Sequence, residues 1–368
     1  MKVPLLDLTR QYRTIEGEID QAVHKVLNHG LFILGPEVKN FEEKVTQYCG
    51  TKFAIGVASG TDALLLSLKA IGVGFGDEVI VPSFTFYATA GVVTRLGAKV
   101  AFVDVNPSTY NIDPTLIEKK ITKKTKAIIP VHLFGQCADM DPIMQIARKH
   151  NLKVIEDAAQ AISAKYEGRK AGSLGDLGCF SFFPSKNLGG AGDGGMVVTD
   201  DADLAGKIEL LRKLGAQRKY FHQVIGYNSR LDTLQAAVLE VKLKYLDEWS
   251  KKRREHAEIY NEAFGNLNIV TPKEESRNYH IYNQYTIALK NRNGLEEHLT
   301  KNEIGHDIYY PLPMHLQECY KDLGYKVGDL PLSEKCSKEV ISLPVFPELT
   351  RDEQSFVIAK VEEFLTKS

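Results

Sequence analysis

The stretch Phe53-Ala54-Ile55-Gly56-Val57-Ala58-Ser59-Gly60-Thr61-Asp62-Ala63-Leu64-Leu65-Leu66 changes its hydrophobic rhythm once, at Ser59-Gly60-Thr61. Phe53 to Ala58 reads as a strand, and Asp62 to Ile71 as a helix whose core face is Leu64-Leu65-Leu66. The same alternation continues downstream. Val79-Ile80-Val81 is a short strand closed by Pro82, and Val100 to Val105, Ala127 to Val131 and Val154-Ile155 are three more. Helical patterns such as Asp141 to His150 lie between them. Strand–helix alternation at this spacing predicts an α/β domain built on a mainly parallel, mixed sheet covered on both faces. Ligands of such sheets sit beyond the carboxyl ends of the strands. The residues just after each strand are therefore the candidate site.

The rhythm changes near residue 180. Cys179 to Phe183 and Met196 to Thr199 read as strands around the segment Gly189-Gly190-Ala191-Gly192-Asp193-Gly194-Gly195. A long polar helix is expected from about Asp232 to Phe264, then a strand from Tyr282 to Leu289 and a last helix from Arg351 to Leu365. This predicts a large domain over residues 1–250 and a smaller C-terminal α+β domain over 251–368.

Composition narrows the function. Of 368 residues, 43% are hydrophobic and 25% charged, which excludes a disordered chain, a collagen-like fibre and a disulfide-stapled scaffold. Lys and Arg total 46 against 47 Asp and Glu, so the chain lacks the basic excess of a general nucleic-acid binder. The clusters Lys119-Lys120 with Lys123-Lys124 and Lys126, and Lys251 to Arg254, read as solvated helix faces among acidic neighbours. The five cysteines are scattered and never form a C-x-x-C pair, which fits reduced thiols and neither disulfides nor a metal site. Asp7 and Arg10 interrupt the apolar stretch a signal peptide needs, and no window reaches the roughly 18 apolar residues of a membrane span. A soluble, cytoplasmic protein is expected.

Three segments point to one ligand. Ser59-Gly60-Thr61 stands between a strand and a helix, where backbone N–H groups suit a phosphate and where Ser also serves as an ordinary helix cap. Asp157 follows an apolar strand. A carboxylate there either caps the next turn or meets a cation such as a protonated ring nitrogen, while Glu156 faces the other way. Lys186, in Cys179-Phe180-Ser181-Phe182-Phe183-Pro184-Ser185-Lys186-Asn187-Leu188-Gly189-Gly190, joins an aromatic strand to the Gly-rich loop. Most loop lysines are simply exposed. One in apolar surroundings instead has its pKa lowered, giving the neutral amine that forms a Schiff base.

Together with Pro82-Ser83-Phe84-Thr85-Phe86-Tyr87-Ala88-Thr89-Ala90 and Gly226-Tyr227-Asn228-Ser229-Arg230-Leu231-Asp232, these segments make five motifs in a fixed order. The chain resembles the DegT/DnrJ/EryC1/StrS family of pyridoxal-phosphate sugar aminotransferases from Pro4-Leu5-Leu6-Asp7-Leu8 nearly to its C-terminus. The resemblance implies the aspartate-aminotransferase-like fold type I. It implies that Lys186 carries pyridoxal 5'-phosphate (pyridoxamine phosphate in turnover) and moves protons, and that Asp157 pairs with the ring nitrogen. Phe86 would stack on the ring and Gln160 would reach its 3-oxygen. Gly60, Thr61 and Ser181 would hold the phosphate with Asn228 of a second subunit, making a homodimer with shared sites. Arg230, Tyr310 and His315 would meet the substrate, the last two through Tyr309-Tyr310-Pro311-Leu312-Pro313-Met314-His315. The implied reaction moves the amino group of L-glutamate to C3 of a UDP- or dTDP-linked 3-keto sugar. The alternatives are a 4-keto aminotransferase, a dehydratase and, more distantly, a non-catalytic regulator. Family dehydratases carry His where this chain has Lys186, which favours transamination.

Overall fold

The computed structural model describes residues Met1–Lys367. Two helices, α1 (Leu8–His29) and α2 (Pro36–Cys49), precede an alternating series. The series is β1 (Phe53–Val57), α3 (Gly60–Ala70), β2 (Glu78–Pro82), α4 (Tyr87–Arg95), β3 (Lys99–Val103), β4 (Thr125–Ile128), α5 (Met140–His150) and β5 (Lys153–Asp157). After β6 (Leu177–Ser181) and β7 (Gly195–Thr199) come α6 (Ala202–Arg212), α7 (Thr233–Leu243) and α8 (Leu246–Phe264).

The strands form one seven-stranded sheet in the order β1-β7-β6-β5-β4-β2-β3. Only β7 runs antiparallel to its neighbours, so the mainly parallel, mixed sheet expected from the alternation is present. Strand side chains alternate between two buried faces. Ile80, Val154 and Phe180 enter one core with Phe41 and Leu239, while Val79, Val81, Ile155 and Cys179 enter the other with Leu64, Leu65 and Leu66. Because β7 is the sole reversed strand, β1, β2, β5 and β6 all end on the same edge. That edge carries the site.

Several expected boundaries move for identifiable reasons. The strand expected to reach Val131 ends at Ile128: Pro130 has no N–H for the ladder, and Val131 keeps only a bridge to Asp157. The single helix expected from Asp232 to Phe264 is two, α7 and α8. The chain turns at Lys244-Tyr245, where the N–H groups of both donate three residues back, to Val241 and Lys242. The turn stacks Tyr245 on Trp249 at 5.8 Å and buries Leu246. The quartet Lys251 to Arg254 is not wholly a solvated face. Arg253 is buried, and Arg254 is half-buried against Glu274, which accepts from its Nη1 at 2.6 Å.

A separate core, apart from those on the two sheet faces, surrounds the antiparallel pair β8 (Tyr285–Ala288) and β9 (Val340–Leu343). It takes Tyr260 and Phe264 from α8, Leu295 and Leu299 from α9 (Arg292–Lys301), and Val357 and Val361 from α10 (Arg351–Lys367). Strand β8 is shorter than the expected Tyr282 to Leu289, because Tyr282 has φ 47° and stacks its ring on His280 at 3.9 Å. Val3 enters this core from the other end of the chain through a parallel bridge to Ile304. Arg10 then clamps α1 to α10 by two hydrogen bonds to Glu353, at 2.8 and 2.7 Å. Such a bidentate fork is the strong form of an ion pair.

Candidate active site

Beyond the carboxyl ends of the strands lies a cavity of about 450 Å3. Each wall comes from a strand end, as the sheet topology requires. Strand β5 supplies Asp157 and the following Gln160, β6 supplies Ser181, and the turn after β2 supplies Phe86. Gly60 and Thr61 open α3, and Lys186 closes the wall from the loop after β6. Tyr310 faces them from the second half of the chain.

Asp157 is buried, and burial pushes its carboxyl pKa up. The Thr89 hydroxyl (2.8 Å to Oδ2), the Ala159 N–H (3.2 Å to Oδ1) and the charges of Lys186 and His132 oppose that shift. Asp157 thus meets the next turn with one oxygen and also lines the cavity. Thr89 is itself held by Thr85, hydroxyl to hydroxyl at 2.9 Å. Glu156 goes to the opposite face, where it accepts from the N–H groups of Gly172, Leu174 and Gly175, each at 2.7 Å. It also meets His132 Nε2 at 2.8 Å. The Ala138 N–H donates to His132 Nδ1, so Nε2 carries the proton that Glu156 accepts.

Lys186 is half-buried on a loop tied down at several points. Its N–H donates to Phe183 O at 2.9 Å, Gly190 N–H donates to Phe182 O at 2.8 Å, and Lys242 Nζ donates to Gly189 O at 2.6 Å. Glycine is needed at 189 because a side chain there would run into the Pro184 carbonyl. Desolvation lowers the Lys186 pKa, and the negative charge of Asp157 partly opposes it. The amine is therefore biased toward the neutral, nucleophilic form.

At the other end, Ser59 Oγ accepts from the Asp62 N–H at 3.1 Å, so this residue is the helix cap. The N–H groups of Gly60 and Thr61 meet no protein acceptor among the described residues, as expected for the first turn of a helix. A Cβ on Gly60 would lie 2.6 Å from Ser181 Cβ, which shows how closely that hydroxyl is drawn to the helix start. Gln160 accepts from the Phe134 N–H at 2.6 Å and donates to the Tyr310 hydroxyl at 3.3 Å. The ring of Phe86 is 56% exposed, leaving an aromatic face open.

Three residues singled out in the sequence lie outside this cavity. His315 is buried with Ser83 Oγ 2.7 Å from its Nδ1 and Glu334 3.2 Å from its Nε2, anchoring the 311–316 segment to the end of β2. Asn228 is exposed, and Arg230 is half-buried with an unpartnered Nε. Between them Ser229 is fully buried and accepts from the Ala58 N–H at 3.3 Å. Conversely, Thr85, Thr89, Ser185, Gln284 and Tyr309 belong to the site and were not singled out as site residues. One signal for Thr89 was available: it stands three residues after Phe86 in a helical register.

These features fit a planar, cationic, phosphorylated aromatic cofactor. The buried carboxylate awaits a ring nitrogen, the free N–H groups and Ser181 await a phosphate, and Phe86 awaits a ring face. The fold and site define a lysine-dependent enzyme of the pyridoxal-phosphate class. Residues 13–362 match the DegT/DnrJ/EryC1/StrS aminotransferase family, and the chain belongs to it. A pleiotropic regulatory protein of Geobacillus stearothermophilus is 51% identical, covering 99% of each chain. The UDP-N-acetyl-3-dehydro-α-D-glucosamine 3-aminotransferase of Acidithiobacillus ferrooxidans is 46% identical over 98% of this chain and 96% of its own. Among solved structures, DesV of Streptomyces venezuelae in complex with a ketimine intermediate superposes with a TM-score of 0.97. It is 42% identical and covers 99% of this chain and 98% of its own. Solved neighbours include pyridoxal- and pyridoxamine-phosphate forms, and pyridoxal phosphate is the cofactor of this site.

Proposed function

We propose that the chain transfers the amino group of L-glutamate to C3 of a UDP- or dTDP-linked 3-keto sugar. The product is a 3-amino sugar for cell-surface polysaccharide, lipopolysaccharide or glycan synthesis. The observation that carries this reading is the juxtaposition of Lys186 and Asp157 in one cavity faced by Tyr309 and Tyr310. Relatives named for C3 amination of a nucleotide sugar support the ketone position.

Bound pyridoxal phosphate supplies an electron sink for the carbanion formed at the amino-bearing carbon. The residues do the rest. Asp157 would face the ring nitrogen and favour its protonated form, since a buried carboxylate is stabilised by a cation beside it. Lys186, desolvated and held by its loop, takes a proton from the donor's Cα and returns one to the sugar carbon on one face. Phe86 would stack on the ring, while the Gly60–Thr61 helix start and Ser181 would hold the phosphate. Tyr310, whose hydroxyl accepts from Gln160, lines the cavity beside Phe86, with ring centroids 6.1 Å apart.

We further propose a homodimer, cytoplasmic, in which Asn228 and Arg230 complete the partner's site. The exposure of Asn228, the unpartnered Nε of Arg230 and the absence of both from their own cavity support this. No helix among the described residues is long and apolar enough to cross a membrane. The division into 1–250 and 251–368 is proposed on the two cores, with Val3 crossing between them.

The Geobacillus relative is named as a regulator, but a lysine and carboxylate set for cofactor chemistry favour catalysis. The test offers matched 3-keto and 4-keto nucleotide sugars with glutamate and locates the new amine by NMR. Amination at C3 is expected, and efficient amination of the 4-keto compound alone would move the assignment to C4.

A further inference from the structure

A second chamber of about 110 Å3 shares Ser185, Gln284 and Tyr309 with the main cavity. Its walls combine Leu5, Leu6, Leu343 and Val345 with three buried polar side chains, Arg253, Asn283 and Ser342, the last paired with the Thr286 hydroxyl. Arg253 projects from α8 and is 4% exposed. Its Nη1 donates to the carbonyls of Val345 (2.6 Å), Tyr282 (3.4 Å) and Asn283 (3.4 Å). No carboxylate of the described residues pairs with it within 4.0 Å. Burial lowers its pKa to about 10, which leaves it charged at neutral pH. Glu348 acts on that charge electrostatically but makes no ion-pair contact with it.

Asn283 adds a second, independent observation. Its amide nitrogen donates to Gln284 Oε1 at 2.6 Å, while its oxygen is buried without a partner. Turning over both amides preserves that bond and presents an N–H at the unpartnered position. A buried, unpaired cation is costly. With an amide beside it and a wall of the chamber around it, the arrangement asks for an anion. The chamber is too small for a sugar or a diphosphate, and its leucines and valine suit methylenes. Ser185, the neighbour of Lys186, marks the way in.

We propose that this chamber receives the side-chain carboxylate of the amino donor, with Arg253 as its charged partner and Asn283 as its amide partner. The inference rests on the reading of L-glutamate as donor. It makes Arg253 and Asn283 determinants of donor choice and leaves the sugar to the main cavity.

The test uses the cofactor-loaded protein and follows its conversion to the amine form with L-glutamate or L-alanine, whose carboxylate is only the one on Cα. Glutarate binding is measured separately by calorimetry. R253K keeps the charge but loses the fork. N283D, which leaves the three carbonyl bonds of Arg253 in place, puts a negative charge in the chamber. Both should raise the KM for glutamate and weaken glutarate binding about 10- to 100-fold, the range for hydrogen bonds to a charged group. The alanine reaction, and the return reaction with 6-methyl or 6-carboxylate keto sugars, should change less than about twofold. Equal losses with alanine and glutamate, or native glutarate affinity in both variants, would overturn the subsite. A native protein that gives no amine form with glutamate removes the donor reading and the subsite together. Normal native turnover with unaffected variants removes the subsite alone.

Discussion

Thr89 donates its hydroxyl to Asp157 Oδ2 at 2.8 Å, across 68 residues of sequence and inside a fully buried corner of the cavity. The bond couples the helix that follows Phe86 to the carboxylate proposed to face the cofactor nitrogen. Asp157 would otherwise be a buried anion with one backbone donor. Thr89 is thus proposed as a positioning residue: its bond fixes Oδ2 and opposes the burial that raises the Asp157 pKa.

Removing that hydroxyl should be felt in a pH profile. The Thr89 bond lowers the Asp157 pKa, so Thr89→Val should raise it further above the usual 3.8. Pyridoxal phosphate binding needs the ionised carboxylate, so the acid limb of its binding curve should move to higher pH. Affinity should weaken about tenfold where the native carboxylate is ionised. In the cofactor-free protein the raised Asp157 pKa favours folding fully below pH 3.8, and that contribution is lost as pH rises through the folded value. Asp157→Asn should remove this part of the pH dependence of thermal stability. An unchanged acid limb in Thr89→Val would remove the positioning role.

Glu156 should behave oppositely to its neighbour. It accepts three backbone N–H groups and the His132 proton on the far face of the sheet, away from the cavity. Glu156→Ala should cost about 3–5 kcal/mol of stability, because it strands four buried donors. The surviving folded fraction should keep its cofactor affinity. A denaturant titration and a cofactor titration on the same sample separate the two effects.

Alternation along β5 made this pair legible from sequence, since period two sends adjacent carboxylates to opposite faces. The strand–helix rhythm likewise placed the sheet and the edge that carries Gly60, Asp157, Ser181 and Lys186. The break at Lys244-Tyr245 was not legible, because it depends on stacking Tyr245 over Trp249 and burying Leu246. Nor was Arg253, which sits in a run of four basic residues and differs from them only by the side of α8 it occupies. His315 took its substrate role from the family resemblance of its segment, yet Ser83 and Glu334 take both of its nitrogens.

Sharing of sites between subunits can be tested by complementation. Asn228 is exposed and lies outside its own chain's cavity. Inactive Lys186→Ala subunits mixed with impaired Asn228→Ala subunits should form hybrids with one intact site, and activity should rise above that of either parent. No gain in mixtures shown by mass to contain hybrids would place both residues in the same subunit's site.

The central claim is that Lys186 is the lysine on which the cofactor chemistry runs. Its most direct measurement is borohydride reduction of the pyridoxal-phosphate-loaded protein followed by peptide mass mapping. A single labelled lysine, Lys186, is expected, with no label and no turnover in Lys186→Ala, although cofactor should still bind through Gly60, Thr61 and Ser181. Label on any other lysine of the native protein, or turnover in Lys186→Ala, would contradict it.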